Sequence, residues 1–293
     1  MMDNNYIIFA DTACDVSLDI PKALDLRYIQ MSFTFGDDGR EYTSGDIAIK
    51  DFYDGMRSGK VSKTSAINLD GFVKAFRPVL ESGSDIFYLA FSSGLSSTYM
   101  NAVSAADELK GDFPERKIIV VDSLAASGGY GLLLYLCLEK KRSGADMAEL
   151  KAYAEGLRLN ICHWFTVEDL VYLKRGGRIS AATAIAGAVL GIKPVLHVDD
   201  EGHLINMSKV RGRKASIRAL ADKFGELSVK EALGTQQTVL ISHADCQGDA
   251  NTLADILKKE YSADVRMITG IGPIIGAHSG PGTLALFFIG KKR

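Results

Sequence analysis

Asp85-Ile86-Phe87-Tyr88-Leu89-Ala90-Phe91, running into Ser92-Ser93-Gly94-Leu95-Ser96-Ser97-Thr98, is the stretch on which the fold class turns. The first seven residues read as a buried strand and the next few as a turn. A helix then spans about Ser97 to Lys110, because Tyr99, Ala102, Val103, Ala106 and Leu109 recur at i, i+3, i+4 spacing. The pattern repeats on either side. Lys117-Ile118-Ile119-Val120-Val121 is apolar, closes at Asp122-Ser123 and precedes a helix holding Tyr130 to Lys141, and Tyr6-Ile7-Ile8-Phe9-Ala10 ends at Asp11-Thr12. Fully apolar strands followed by helices predict a parallel sheet covered on both faces.

From about Asn160 the texture changes. Lys193 to Val198, an acidic turn Asp199-Asp200-Glu201-Gly202, and His203 to Met207 spell a β-hairpin. A basic helix from Arg213 to about Phe224 follows, then a strand Thr238 to His243, a helix Asp249 to Glu260, and strands at Val265 to Thr269 and Thr283 to Ile289. Gly270 to Gly282, with five glycines and two prolines, is expected to be a turn region. With 293 residues the chain has room for two domains. The expectation is an α/β protein with a parallel-sheet α/β domain over residues 1–160 and a mixed or antiparallel α/β domain over 161–293.

Composition narrows the function. Lys plus Arg number 34 against 36 Asp plus Glu, a net charge of −2, which argues against a non-specific nucleic-acid binder. Cys14, Cys137, Cys162 and Cys246 are scattered, without disulfide-framework or zinc-site spacing, so no metal is expected. The start reads as a first strand and not a signal peptide. Ala181 to Leu196, the longest candidate membrane segment, is interrupted by Lys193-Pro194 and is shorter than a span. The expected location is the cytoplasm.

Three nucleotide or hydrolase motifs fail. Before Gly59-Lys60 the P-loop pattern needs glycine where Asp54 stands, and after it Ser or Thr where Val61 stands. Gly270-Ile271-Gly272-Pro273-Ile274-Ile275-Gly276 places its last glycine one position late for a dinucleotide fingerprint. Gly94-Leu95-Ser96-Ser97-Thr98 sits where a nucleophile elbow would but lacks the final glycine. That turn is either an N-cap, with Ser96 capping, or an anion site where helix-start N–H groups and the helix dipole favour negative charge.

Other clusters carry two readings each. Val61-Ser62-Lys63-Thr64-Ser65-Ala66 is a hydroxyl-rich loop before a helix around Leu69 to Leu80, with Asn68 or Ser65 as its cap. Lys174-Arg175-Gly176-Gly177-Arg178-Ile179-Ser180 is a solvated face or a grip for phosphate or a partner's carboxylates. His163, His197, His203 and His243 read as structural, whereas His278 lies inside Gly276-Ala277-His278-Ser279-Gly280-Pro281-Gly282, a loop fit for placing a contact.

Taken together, six segments resemble the DegV family of fatty-acid-binding proteins. They are Phe9 to Asp15, Lys63-Thr64-Ser65, Ser92 to Tyr99, Leu173 to Ile179, Gly191-Ile192-Lys193-Pro194 and Gly276 to Gly282, in family order from Ile7 to Phe288. The resemblance implies two α/β domains holding a long-chain fatty acid such as palmitate. It implies that Thr64 and Ser96 bind the carboxylate with Ser97 and His278 beside them, and it leaves Ser65 and Ser93 as supporting hydroxyls. It implies a separate fatty-acid kinase as partner, with Arg175 and Arg178 as docking residues, a role as acyl carrier for phospholipid metabolism, and no cofactor beyond the bound acid. Two positions depart from the family pattern, since Ala66-Ile67 stands where Gln-Pro is common and Ser97 where glycine is usual. Leu132, Leu133, Leu136 and Ala184 to Leu190 are either tail lining or ordinary core. The competing reading is a serine-dependent acyl hydrolase with Ser96 as nucleophile and His278 as base.

Overall fold

The computed structural model describes residues 5–16, 26–180, 191–229 and 238–293. The first half is built on strands β1 (Tyr6–Asp11) and β2 (Leu26–Ile29), a small sheet of β3 (Ser32–Phe35), β4 (Glu41–Thr43) and β5 (Ser62–Ser65), and then β6 (Asp85–Ala90) and β7 (Ile118–Asp122). Helices α1 (Ile49–Arg57), α2 (Leu69–Glu81), α3 (Thr98–Asp112), α4 (Ser127–Arg142) and α5 (Met147–Leu157) connect and cover them. Strands β2-β1-β6-β7 form one sheet, all neighbours parallel, as the apolar runs predict.

The second half comprises β8 (Ile161–Thr166), α6 (Val171–Arg175), β9 (Ile192–Val198), β10 (Leu204–Arg211), α7 (Arg213–Leu227), β11 (Thr238–His243), α8 (Gln247–Tyr261), β12 (Asp264–Gly270), α9 (Pro273–Ser279) and β13 (Leu284–Ile289). Its sheet runs β10-β9-β8-β13-β11-β12 and is mixed, with only β11 and β12 pairing in parallel. The expected hairpin is β9 and β10.

Alternation sorts the mixed sheet between two cores. Cys162, Trp164, Leu284, Leu286 and Phe288 face α7 and α8, with Phe224 and Leu253 among their neighbours. Phe165, Ala285 and Phe287 face the other way and join the core of the first half. The element between the two sheets is α4, in which Tyr130, Leu132, Leu133, Leu134, Cys137 and Leu138 are all buried. A helix apolar on every side belongs inside a protein, and α4 packs on β13, β11 and β8.

Two sequence expectations are corrected. Val61 to Ala66 is not simply a loop, because Ser62–Ser65 is β5, paired antiparallel with β3 so that Thr64 lies opposite Phe33. Gly270 to Gly282 is not a continuous turn, because α9 occupies its middle with Pro273 in the first turn, where a missing N–H costs nothing. Leu132 and Leu133 are core residues and Leu136 packs beside them, while Ala184 to Leu190 lie outside the described residues.

Candidate functional site

A cavity of about 900 Å³, its open mouth included, lies between the two halves. The first half contributes β5, the turn after β6 and the start of α4. The second contributes β8, α6, β13 and α9. Its walls are mainly apolar, with Phe91, Leu95, Phe165, Ile274 and Phe287 prominent.

At one end the hydroxyl and imidazole groups converge. Thr64 Oγ1 and His278 Nε2 share a hydrogen bond of 2.7 Å, joining β5 to α9. Burial first, and the nearby Arg178 guanidinium second, push the His278 imidazole down to about 4, so it is neutral at pH 7. Its Nδ1 is buried against Gly176, where a β-carbon would come within 2.1 Å of that nitrogen. Only glycine lets the cationic turn close on the ring this tightly.

Ser96 and Ser97 also line the cavity, directly after Leu95, whose carbonyl accepts from Arg178. Ser97 occupies the N-cap position of α3 with no side-chain cap, and the Ser96 Oγ accepts from the Thr98 N–H at 3.2 Å. Ser96 and Thr98 hydroxyls are also 2.8 Å apart. When Thr98 donates in that pair, the Ser96 proton is free to point into the cavity. The cap and anion readings are therefore compatible.

This turn is held from below by Asp11, which is fully buried at the end of β1. Its Oδ2 accepts from Tyr88 Oη at 2.7 Å and from the Phe91 N–H at 3.1 Å, and its Oδ1 from the Ala13 N–H at 3.0 Å. Desolvation raises its pKa while these bonds oppose the rise. From the C-terminal half, Ser92 Oγ donates to the Gly202 carbonyl at 2.9 Å, fastening the β9–β10 tip onto the same turn.

The structure separates residues that the sequence grouped. Thr64, Ser96, Ser97 and His278 all line the cavity. Ser65 is exposed on β5, and Ser93 is exposed with its N–H donating to Asp122 at 3.2 Å; neither belongs to the cavity wall. Arg178 is in that wall, its Nε and Nη2 donating to the Leu95 carbonyl at 3.2 and 3.0 Å. Arg175 stays exposed, its guanidinium 5.6 Å from the Tyr172 ring. Sequence reasoning missed Ser127, His163 and Asp15. Ser127 and His163 line the cavity, and Asp15 bonds Ser127 from behind. Asp15 was visible inside the Phe9–Asp15 segment but had no assigned task.

Comparison with known sequences settles the family. The family model described as "Uncharacterised protein, DegV family" matches residues 6–291. The chain belongs to the DegV family. It is 40% identical over 291 residues, 98% of each chain, to a DegV domain-containing protein of Clostridium perfringens. It is 33% identical over 283 residues, 94% of this chain and 95% of the other, to a Thermotoga maritima protein named fatty acid-binding protein. The crystal structure of a DegV lipid-binding protein from Thermotoga maritima superposes with a TM-score of 0.83 at 30% identity, covering 99% of both chains. The two-part α/β architecture is therefore the DegV fold. Among the described residues no group of three or more His, Cys, Asp or Glu is placed to hold a metal, and no helix is long and apolar enough to cross a membrane.

Proposed function

We propose that this chain binds one long-chain fatty acid such as palmitate between residues 1–160 and 161–293, and carries it in the cytoplasm for phospholipid metabolism. The observation that carries the reading is a mainly apolar cavity whose wall holds the Thr64–His278 pair together with Ser96 and Ser97, where α3 begins. A carboxylate entering a partly buried site needs donors. With its proton on Nε2, His278 donates to Thr64, whose hydroxyl then turns to the ligand, and Ser96, Ser97 and the positive end of α3 complete the set. The Arg178 guanidinium adds positive potential without leaving its carbonyl partners. Tail burial contributes roughly 0.8 kcal/mol per methylene, reduced by ordering costs. The names of the DegV relatives point the same way.

A carrier suits the geometry better than a hydrolase. His278 is bonded to Thr64 and Ser96 to Thr98, so base and nucleophile are each engaged elsewhere, and an imidazole near pKa 4 is a weak base. For handover to a fatty-acid kinase, Arg175 is the exposed docking residue. Arg178 reaches the cavity instead.

The test is calorimetric titration of palmitate into the wild type and the Thr64→Val/Ser96→Ala double variant. Loss of two charge-assisted hydrogen bonds predicts an affinity lower by at least about tenfold in a chain that still unfolds cooperatively. Equal affinity would contradict the site. Arg175→Glu should impair acyl phosphorylation by a partner kinase while palmitate still binds.

A further inference from the structure

Helix α9 carries more than His278 to the cavity. Ile274, Ile275, His278 and Ser279 all belong to the wall, and their separations of three and four residues set them on one face of the helix. Gly276 lies on the other face, where a β-carbon would come within 2.4 Å of Tyr53 Oη. The cavity face of α9 therefore starts apolar, with two isoleucines, and ends polar, with His278 and Ser279.

Ser279 is 5% exposed, and its Oγ has no hydrogen-bond partner. Other serines at helix ends in this chain behave differently. Ser58, Ser82 and Ser143 follow the last residues of α1, α2 and α4, and each donates to the carbonyl three positions back, at 2.8, 2.7 and 2.7 Å. Among the described residues, His278 and Ser279 are the only members of the cavity wall with a buried side-chain polar atom left unpartnered. In His278 that atom is Nδ1, which lies against Gly176. The Ser279 hydroxyl is the one left to meet a ligand. A buried hydroxyl without a partner is costly, and a carboxylate that accepts from it removes that cost.

We infer that Ser279 is a further carboxylate donor, next to the Thr64–His278 pair, and that its hydroxyl makes the site prefer an ionised long-chain acid over the neutral ester. The inference rests on the fatty-acid reading above and adds a specificity residue to it. The two polar residues of α9 divide the task. His278 is bonded to Thr64 and orients that hydroxyl, whereas Ser279 has no other bond to break before it donates. With the carboxylate at Ser279, the acyl chain passes Ile275, one turn back on the same face.

The experiment titrates palmitate and methyl palmitate into the full chain by calorimetry. The wild type should bind palmitate the tighter. Ser279→Ala should lower palmitate affinity at least about tenfold and methyl palmitate affinity much less, because a hydrogen bond to a charged acceptor is the stronger. Ile275→Ala should weaken both probes alike. The ratio of the two affinities is the readout, since a reduced folded fraction leaves it unmoved. A Ser279→Ala variant that keeps the wild-type ratio, whether both affinities fall together or neither falls, overturns this inference alone, as do equal wild-type affinities for acid and ester. Failure of the wild type to bind either probe overturns the fatty-acid reading and this inference with it.

Discussion

Thr64 and His278 meet from opposite halves of the chain, and burial keeps the imidazole neutral. The sign of the resulting pH dependence follows. An unfolded chain protonates this histidine near its ordinary 6.5 and the folded chain near 4, so its contribution to stability is present above pH 6.5 and is lost as pH falls toward 4. Asp15 acts in the opposite direction. Desolvation, partly offset by the Ser127 and Gly272 bonds, raises it from 3.8 to about 7, so its contribution is present below pH 3.8 and is lost as pH rises through 7. Denaturant melts across pH should show His278→Gln losing less stability than wild type between pH 6.5 and 4. Asp15→Asn should lose less between pH 4 and 7. Slopes identical to wild type would contradict these assignments. At this scale the sequence was partly legible. Local sequence marks Ser96 as a cap or anion site and His278 as placed by its glycine-rich loop, while the family resemblance alone joins them to Thr64 at a carboxylate. His163 reads as structural, which its bonds to the Ile161 carbonyl and the Ala126 N–H support, but the cavity wall it joins exists only after β8 and α4 pack.

Elements with strong apolar periodicity were read within a few residues, and the weakly patterned ones were misread for physical reasons. Ser62–Ser65 has almost no apolar side chains, and it is a strand because β3 supplies backbone partners. The glycines around α9 suggested a turn, yet Pro273 starts a helix and Gly280, at φ 81°, ends it. Elements also separate stability from binding. Asp146 and Glu149 make a capping box on α5, away from the cavity. Asp146→Ala should cost about 1 kcal/mol in denaturant melts and leave palmitate affinity unchanged. Gly176→Ala should do the reverse in emphasis, since its β-carbon displaces the His278 ring from Thr64. Palmitate affinity that survives Gly176→Ala would show that the Thr64–His278 bond is dispensable.

The whole molecule is joined by contacts that no local pattern announces. Arg293 is 7% exposed and donates to the carbonyls of Ile161, Asp199 and Arg158 at 3.2, 2.8 and 2.7 Å. It fastens the segment after β13 to the start of β8 and to the β9–β10 tip. Burial pushes its guanidinium down to about 10. Arg293→Met strands three carbonyls and should cost about 2–4 kcal/mol, read as a lower midpoint in chemical denaturation. The core that α4 shares between both sheets accounts for a cavity formed jointly by the two halves. The parallel and mixed sheets were foreseeable from strand texture. Their mutual packing was not, because it depends on residues more than a hundred positions apart. The central claim is that this cavity holds a long-chain acid, and mass spectrometry of the purified protein, first native and then after solvent extraction, tests it most directly. A near-stoichiometric long-chain acid released on extraction is the predicted result. A protein that is empty, and stays empty when fatty acid is added, would contradict it.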